Sequence, residues 1–243
     1  MPLVYTETSG FSMGGLDLIF PKKCLGCGKT GSYFCPDCLN FISLEPRWIC
    51  PMCSRPSRNG QTHLGCRTPQ GLDGLTSIFA YRGVIKKAIR KLKYQFVSDL
   101  AQDLTELFLS FCGEDKVFTR QLEKAVFIPL PLHPSRKRWR GFDQTELLGK
   151  MMTSNLGIEF LPQALKRIKK TKLREELSRK ERQKDIQGAF QVSSIFSPAS
   201  ASKIILFNDL WFWGESLREA TKVLKKNGAK QVWGLTLARE TKN

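Results

Sequence analysis

Six of the eight cysteines form three Cys-x-x-Cys pairs, Cys24/Cys27, Cys35/Cys38 and Cys50/Cys53, and a seventh, Cys66, falls in the same stretch. Thiols two residues apart can turn around one ion, and two such pairs complete a tetrahedral shell that suits Zn²⁺. A disulfide framework and a redox dithiol are the alternatives. A redox pair normally occurs once, opening a helix, whereas three pairs in series argue for metal. The first zinc site is read as Cys24, Cys27, Cys35 and Cys38, with Gly26, Gly28 and Gly31 supplying turn freedom. A second site, Cys50, Cys53, His63 and Cys66, is complete if His63 binds through a ring nitrogen; the other reading leaves His63 as a surface residue of a polar loop. Interleaved pairing, with Cys24/Cys27 joined to Cys50/Cys53, stays open. Residues 1–70 are short of large apolar side chains, so metal is expected to supply the folding energy that a core of that size cannot. Cys112 stands alone at the end of an apolar helical pattern and reads as a core residue.

A boundary is expected at Arg67–Gly74, where the cysteines stop and Pro and Gly concentrate. This gives a cysteine-rich zinc-binding domain over 1–70 and an α/β domain over 71–243. In the second part, Leu75–Tyr81 reads as a strand, and Ile85, Ile89, Leu92 and Phe96 recur at helical spacing. Leu100, Leu104, Leu107, Phe108 and Phe111 do the same in a helix ending near Gly113. Val126–Leu132 is a short apolar strand running into a Pro-rich turn and the segment 133–144; a helix follows from about Asp143 to Leu156. Leu161–Ile168 is ambiguous, and Lys169–Lys184 looks like an exposed charged stretch. Ala189–Val192, Lys203–Asp209 and Gln231–Arg239 read as strands, with a helix from Glu215 to Asn227 closed by Gly228. Continuous apolar strands predict a parallel sheet covered on both faces.

The charge is lopsided: 39 Lys plus Arg against 22 Asp plus Glu, a formal +17. Residues 136–184 carry 15 basic against 6 acidic side chains, over half of the whole excess. Polyanions are therefore the first partners to consider. No apolar run approaches the roughly 18 to 20 residues of a membrane-spanning helix, so no membrane insertion is expected. With no basic n-region near the start, a cytoplasmic location is expected. Walker A, G-x-G-x-x-G and His-Glu-x-x-His motifs do not occur.

Several motifs then occur in one order: Leu18-Ile-Phe-Pro-Lys-Lys-Cys24-x-x-Cys27, Ala80-Tyr-Arg-Gly-Val84, Leu92-Lys-Tyr94, Pro129-Leu-Pro-Leu-His-Pro134, Arg140-Gly-Phe-Asp-Gln144, Leu177-Ser-Arg-x-x-Arg182 and Gly188-Ala-Phe190. Together the chain resembles the ComF family over most of its length. The resemblance implies a zinc finger joined to a type I phosphoribosyltransferase-like domain and an association with DNA uptake in natural transformation. It also implies a site for phosphoribosyl diphosphate (PRPP) with Mg²⁺, in which the catalytic carboxylate is Asp209. The PRPP-binding positions are Asn208, Asp209, Gly214, Glu215 and Ser216, with Arg140 on the diphosphate.

The chain departs from the family where that chemistry lies. The family pattern Val-Asp-Asp-Val-x-Thr-Thr-Gly-x-Thr-Leu aligns without a gap on Phe207-Asn-Asp-Leu-Trp-Phe-Trp-Gly-Glu-Ser-Leu217. Asn208 replaces one acid, and Phe212 and Trp213 replace the two threonines, so one charge and two hydroxyl donors are lost. Glu215 in the first helical turn competes with a phosphate for the positive helix end. Weak or absent PRPP binding is the expectation. Trp211, Phe212 and Trp213 either pack into protein or offer stacking faces to bases. The leading expectation is a protein that binds single-stranded DNA through Lys93, Arg136, Lys137, Arg138, Arg140, Lys169, Lys170 and Lys172. An active phosphoribosyltransferase and a zinc-stapled module that docks on a DNA-uptake helicase are the alternatives.

Overall fold

The computed structural model describes residues 21–42, 48–94, 99–172, 177–197 and 203–240. The expected positions Leu18-Ile-Phe20 and Phe96 lie outside them. The strands are β1 (Gly74–Ala80), β2 (Val126–Pro129), β3 (Glu159–Phe160), β4 (Leu165–Arg167), β5 (Phe190–Val192), β6 (Lys203–Trp211) and β7 (Gln231–Arg239). The helices are α1 (Pro36–Leu39), α2 (Gly83–Tyr94), α3 (Leu100–Glu114), α4 (Lys116–Leu122), α5 (Pro134–Arg140), α6 (Gln144–Leu156), α7 (Arg179–Ile186) and α8 (Glu215–Lys226). Five strands form one sheet in the order β1-β7-β6-β2-β3, and every neighbouring pair is parallel. β4 and β5 pair antiparallel in a separate ribbon.

The sheet is buried on both faces, which is why its central strands carry no polar alternation. Ile205 and Phe207 of β6 enter one layer, with Ile85 and Ile89 of α2, Leu104 and Phe108 of α3, and Leu148 and Met152 of α6. Ile204 and Leu206 enter the other, with Leu217, Ala220 and Leu224 of α8. Cys112 lies in the first layer, as its pattern predicts, and burial pushes its thiol up to about 12. No helix among the described residues is long and apolar enough to cross a membrane. The fold is the α/β architecture expected, a parallel sheet flanked by helices with a cysteine module at its N-terminal side.

Four local outcomes go beyond the sequence reading. β6 runs two residues past Asp209, because Leu210 and Trp211 keep pairing with Ala238 and Arg239. Residues 134–140, to which the sequence reading assigned no element, form a helix: Pro134 sits in the first turn, the His133 ring accepts from the Ser135 N–H at 3.2 Å, and Gly141 ends it at φ 80°. The ambiguous stretch 161–168 contains a strand, β4. The short helix α4, capped by Asp115 accepting from the Phe118 N–H at 2.8 Å, had not been anticipated.

The cysteine-rich segment is docked on this sheet. Tyr33, Phe34, Leu39 and Ile42 enter the first layer and Ile49 the second. The Tyr33 hydroxyl donates to Asp99, the Lys87 ammonium to the Leu25 carbonyl at 2.9 Å, and the Arg218 Nε to the Pro51 carbonyl at 2.8 Å. Strand order reverses between β2 and β6: β2 is followed outward by β3, and β6 by β7 on the other side. Ligands of open parallel sheets sit in the crevice at the carboxyl ends of strands at such a point.

Candidate metal centres and a basic cleft

Cys24, Cys27, Cys35 and Cys38 bring one ligand atom each within 4.8 Å of one another, and Cys50, Cys53, His63 and Cys66 do the same. The pairing is sequential, so the interleaved arrangement is not the one adopted. α1 opens directly after Cys35, with Pro36 in its first turn, and this sets the Cys35/Cys38 spacing. The Cys35 backbone N–H points at the Cys24 sulfur at 3.5 Å. Burial raises the Cys24 thiol, but N–H groups of Cys35, Cys27 and Gly26 outweigh it and bring it down to about 6. Burial and the neighbouring sulfurs push Cys38 up to about 12. Thiolates this close repel one another unless a dication sits among them, and an all-sulfur tetrahedral set suits Zn²⁺.

The second group has the orientation that a histidine ligand needs. His63 Nε2 lies 2.9 Å from the Pro56 carbonyl oxygen, which only accepts, so Nε2 carries the proton. Nδ1 then turns its lone pair toward the sulfurs, 3.4 Å from Cys53 Sγ. A backbone carbonyl that fixes tautomer and ring orientation in this way is the usual support of a metal-bound imidazole. The residues present fit two zinc ions.

At the carboxyl ends of β1, β2 and β6 lies a cleft of about 680 Å³. Among the described residues it is lined by eight Lys and Arg against four Asp and Glu. Asp209, at the end of β6, carries a side chain only 5% exposed, and the Lys93 ammonium of α2 sits on its carboxylate at 2.5 Å. The Gln144 side-chain amide approaches the same oxygen at 3.5 Å, and Arg140 Nη1 donates to the Gln144 carbonyl oxygen. Arg140 is buried and lies over the Tyr94 ring at 5.7 Å. Asp143 caps α6 by accepting from the Thr145 N–H at 3.0 Å and holds the Leu132 N–H at 2.8 Å.

The last residue of β6 bears out the packing reading of the first of the three aromatics. Trp211 is buried, its ring covered by Gly214, where a Cβ would collide with it, and approached by the Arg218 guanidinium at 5.3 Å. Gly214 has φ 79° and opens α8 in a left-handed conformation that favours glycine. Phe212 is half-buried, edge-on to Tyr81 with ring centroids 5.5 Å apart. The Asn208 side-chain amide donates to the Leu210 carbonyl at 2.9 Å, Glu215 is buried, and Ser216 is half-buried at the cleft wall.

The expected DNA contacts divide into two sets. Lys93, Arg136 and Arg140 line the cleft and are engaged there, Arg136 Nη2 donating to the Thr171 carbonyl at 2.8 Å. Arg138, Lys169 and Lys170 are exposed outside it, as is Lys137, which pairs with Glu146 at 2.6 Å; Lys172 is exposed at the rim. Two features escaped the sequence reading. Trp139 is 64% exposed within the basic helix α5, and the signal was a tryptophan inside Arg136-Lys-Arg-Trp-Arg140. Arg167 and Arg182 line the cleft, and the Leu177-Ser-Arg-x-x-Arg182 motif had been noted without a role.

A family model described as a double zinc ribbon domain matches residues 15–67. Competence protein F of Haemophilus influenzae is 28% identical over 218 residues, covering 88% of this chain and 84% of that protein. Competence protein ComFC of Streptococcus pneumoniae is 27% identical over 236 residues, covering 89% of this chain and all of that protein. DNA utilization protein YhgH of Escherichia coli K12 is 25% identical over 193 residues, covering 77% and 83%.

Proposed function

We propose that the chain, similar over most of its length to competence proteins F and ComFC, is a ComF-family accessory protein of DNA uptake that binds single-stranded DNA on the cytoplasmic side. In this reading a zinc-stabilised segment, residues 1–70, is fused to a phosphoribosyltransferase-like scaffold, residues 71–243, whose PRPP loop has degenerated. The observation that carries the second half is the Lys93–Asp209 pair. The carboxylate that would meet a ribose or Mg²⁺ is already neutralised by an ammonium, its neighbour Asn208 is uncharged, and Phe212 stands where a hydroxyl donor belongs. A metal-bound sugar diphosphate has little to hold.

The names of relatives in competence and DNA utilization support the first half, as does the solvent-facing basic set on α5 and after β4. Trp139 adds an aromatic face among those cations, and base stacking on such a face contributes about 1–3 kcal/mol. A helicase of the uptake machinery is the protein partner this reading favours.

Titration of a fluorescent oligo-dT at increasing salt tests the DNA half. Each phosphate contact contributes about 0.7 to the logarithmic salt slope for single strands. Replacing Arg138, Lys169 and Lys170 together by Ala should flatten the slope by about 2, and Trp139→Ala should weaken binding with the slope unchanged. Binding that ignores salt would sink the proposal. For the loop, PRPP with Mg²⁺ should leave the thermal midpoint of the unmodified chain unchanged and raise that of an Asn208→Asp, Phe212→Thr, Trp213→Thr variant. A second reading, an active PRPP-dependent transferase, is favoured by one observation, the cleft at the strand-order reversal with Asp209 on its wall. A PRPP-induced shift in the unmodified chain would give it the lead.

A further inference from the structure

We propose that Arg136, Arg167 and Arg182 seat a phosphate monoester, carried by a ligand of mononucleotide size, on the wing of the cleft built by α5, β4 and α7, and that they do so without a metal ion. The site shares its cleft with the 208–216 loop but draws on other residues, and it does not depend on the DNA-binding reading.

The argument starts from hydrogen-bond accounting. A buried guanidinium N–H left without a partner is costly, and a native site that keeps several calls for an explanation. Among the described residues, the buried Nε atoms of Arg167 and Arg182 have no hydrogen-bond partner. Both side chains line the same cleft as Arg136. Arg167 is held from behind: its Nη2 donates to Thr171 Oγ1 at 2.5 Å, and its guanidinium lies over the Phe190 ring at 5.4 Å. Arg136 is fixed by the Thr171 and Lys172 carbonyls at 2.8 and 3.0 Å. The donors are thus positioned before any ligand arrives, which lowers the cost of binding.

Charge points the same way. Asp185 is an acid on this wing, and one of its oxygens already accepts from the Lys172 N–H at 3.0 Å. Burial first, then the Arg136 guanidinium, draws the Arg167 pKa down to about 10, while Asp185 and Asp143 only partly oppose them. Cations that lower one another's pKa at a partly desolvated wall are relieved by an anion bound there. Guanidinium forks match the several acceptor oxygens of a phosphate better than a single ammonium would. A cavity of about 680 Å³ falls in the range that encloses a small ligand.

Calorimetry of the zinc-replete chain in Mg²⁺-free buffer, with inorganic phosphate and then deoxycytidine monophosphate as titrants, tests this. Saturable binding of both is expected, weakened roughly ten- to hundredfold by Arg182→Gln. Arg182 is half-buried on a helix, so this variant should fold even if Arg167→Gln does not. Lys150→Gln, which removes a charge from an exposed position of α6 outside the cleft, should leave phosphate binding within about threefold. Failure of both titrants to bind, indifference to Arg182→Gln, or an equal loss in Lys150→Gln would each overturn the proposal. An oligonucleotide that binds when phosphate and mononucleotide do not would also overturn it, while leaving the DNA reading intact.

Discussion

Stripping the metal with a chelator is expected to release two zinc ions per chain and to unfold the segment between residues 21 and 67. Structural zinc binding contributes about 10–16 kcal/mol at neutral pH, comparable with the whole stability of a typical domain. Residues 21–67 have no other source of that size. Tyr33, Phe34, Leu39 and Ile42 are buried, but against the α/β layer rather than one another alone. Loss of zinc therefore unravels the ligand loops and also lifts these side chains off α2 and α3. Cys24→Ser and Cys50→Ser should each lower bound zinc from two to one, and the near-ultraviolet signal of Tyr33 and Trp48 should fall on chelation. His63→Ala should weaken the second site selectively. A metal-free chain that resists proteolysis in this region as well as the untreated one would refute the account.

Lys93→Met is expected to destabilise the chain by about 3–5 kcal/mol, a drop in thermal midpoint on the order of 10 °C for a protein of this size. The reason is the partner left behind. Asp209 has a side chain 5% exposed, and once the ammonium is gone a long hydrogen bond from the Gln144 amide, at 3.5 Å, is left on the same oxygen. Removing one member of a buried pair strands a charge, whereas replacing both by apolar groups of similar volume is often neutral. The double variant Lys93→Met, Asp209→Leu should accordingly recover most of the loss. The cycle also bears on function, because the pair occupies the carboxylate that a ribose or Mg²⁺ would otherwise engage. Equal stability of wild type and Lys93→Met in thermal melts would mean that solvent screens the pair and that Asp209 is available to a ligand.

The two metal groups were legible because the information is local. Cys-x-x-Cys spacing sets which sulfurs can share an ion, and the sequential grouping follows chain order. His63 was the one ambiguous ligand, and a contact seven residues away, its Nε2–H on the Pro56 carbonyl, selects the ring nitrogen that faces the sulfurs. The strands of the sheet were legible for a similar reason: Lys203–Trp211 and Gln231–Arg239 are apolar almost throughout, and only burial on both faces permits that. The end of β6 was less legible, since pairing with Ala238 and Arg239 lies outside the segment itself.

The cleft was not legible at all in its details. Lys93 and Asp209 are 116 positions apart in the chain, yet they form one ion pair. Read as a run of charge, Arg136 to Lys184 looked uniform. The fold sorts it, turning Arg136, Arg140, Arg167 and Arg182 into the cleft and leaving Arg138, Lys169 and Lys170 in solvent. The aromatics were exchanged as well: Trp211, a candidate stacking face, is sealed beneath Gly214, and Trp139, given no role in the sequence reading, is 64% exposed.

Composition, spacing and periodicity thus determined the metal ligands, the parallel sheet and the basic character, because each depends on neighbours within a few residues or on burial averaged over a whole element. Which cations are spent on carboxylates and carbonyls, and which keep unsatisfied donors, depended on contacts between α2, β4, α7 and β6. These contacts are electrostatic and short-ranged, and only the packed chain brings their partners together.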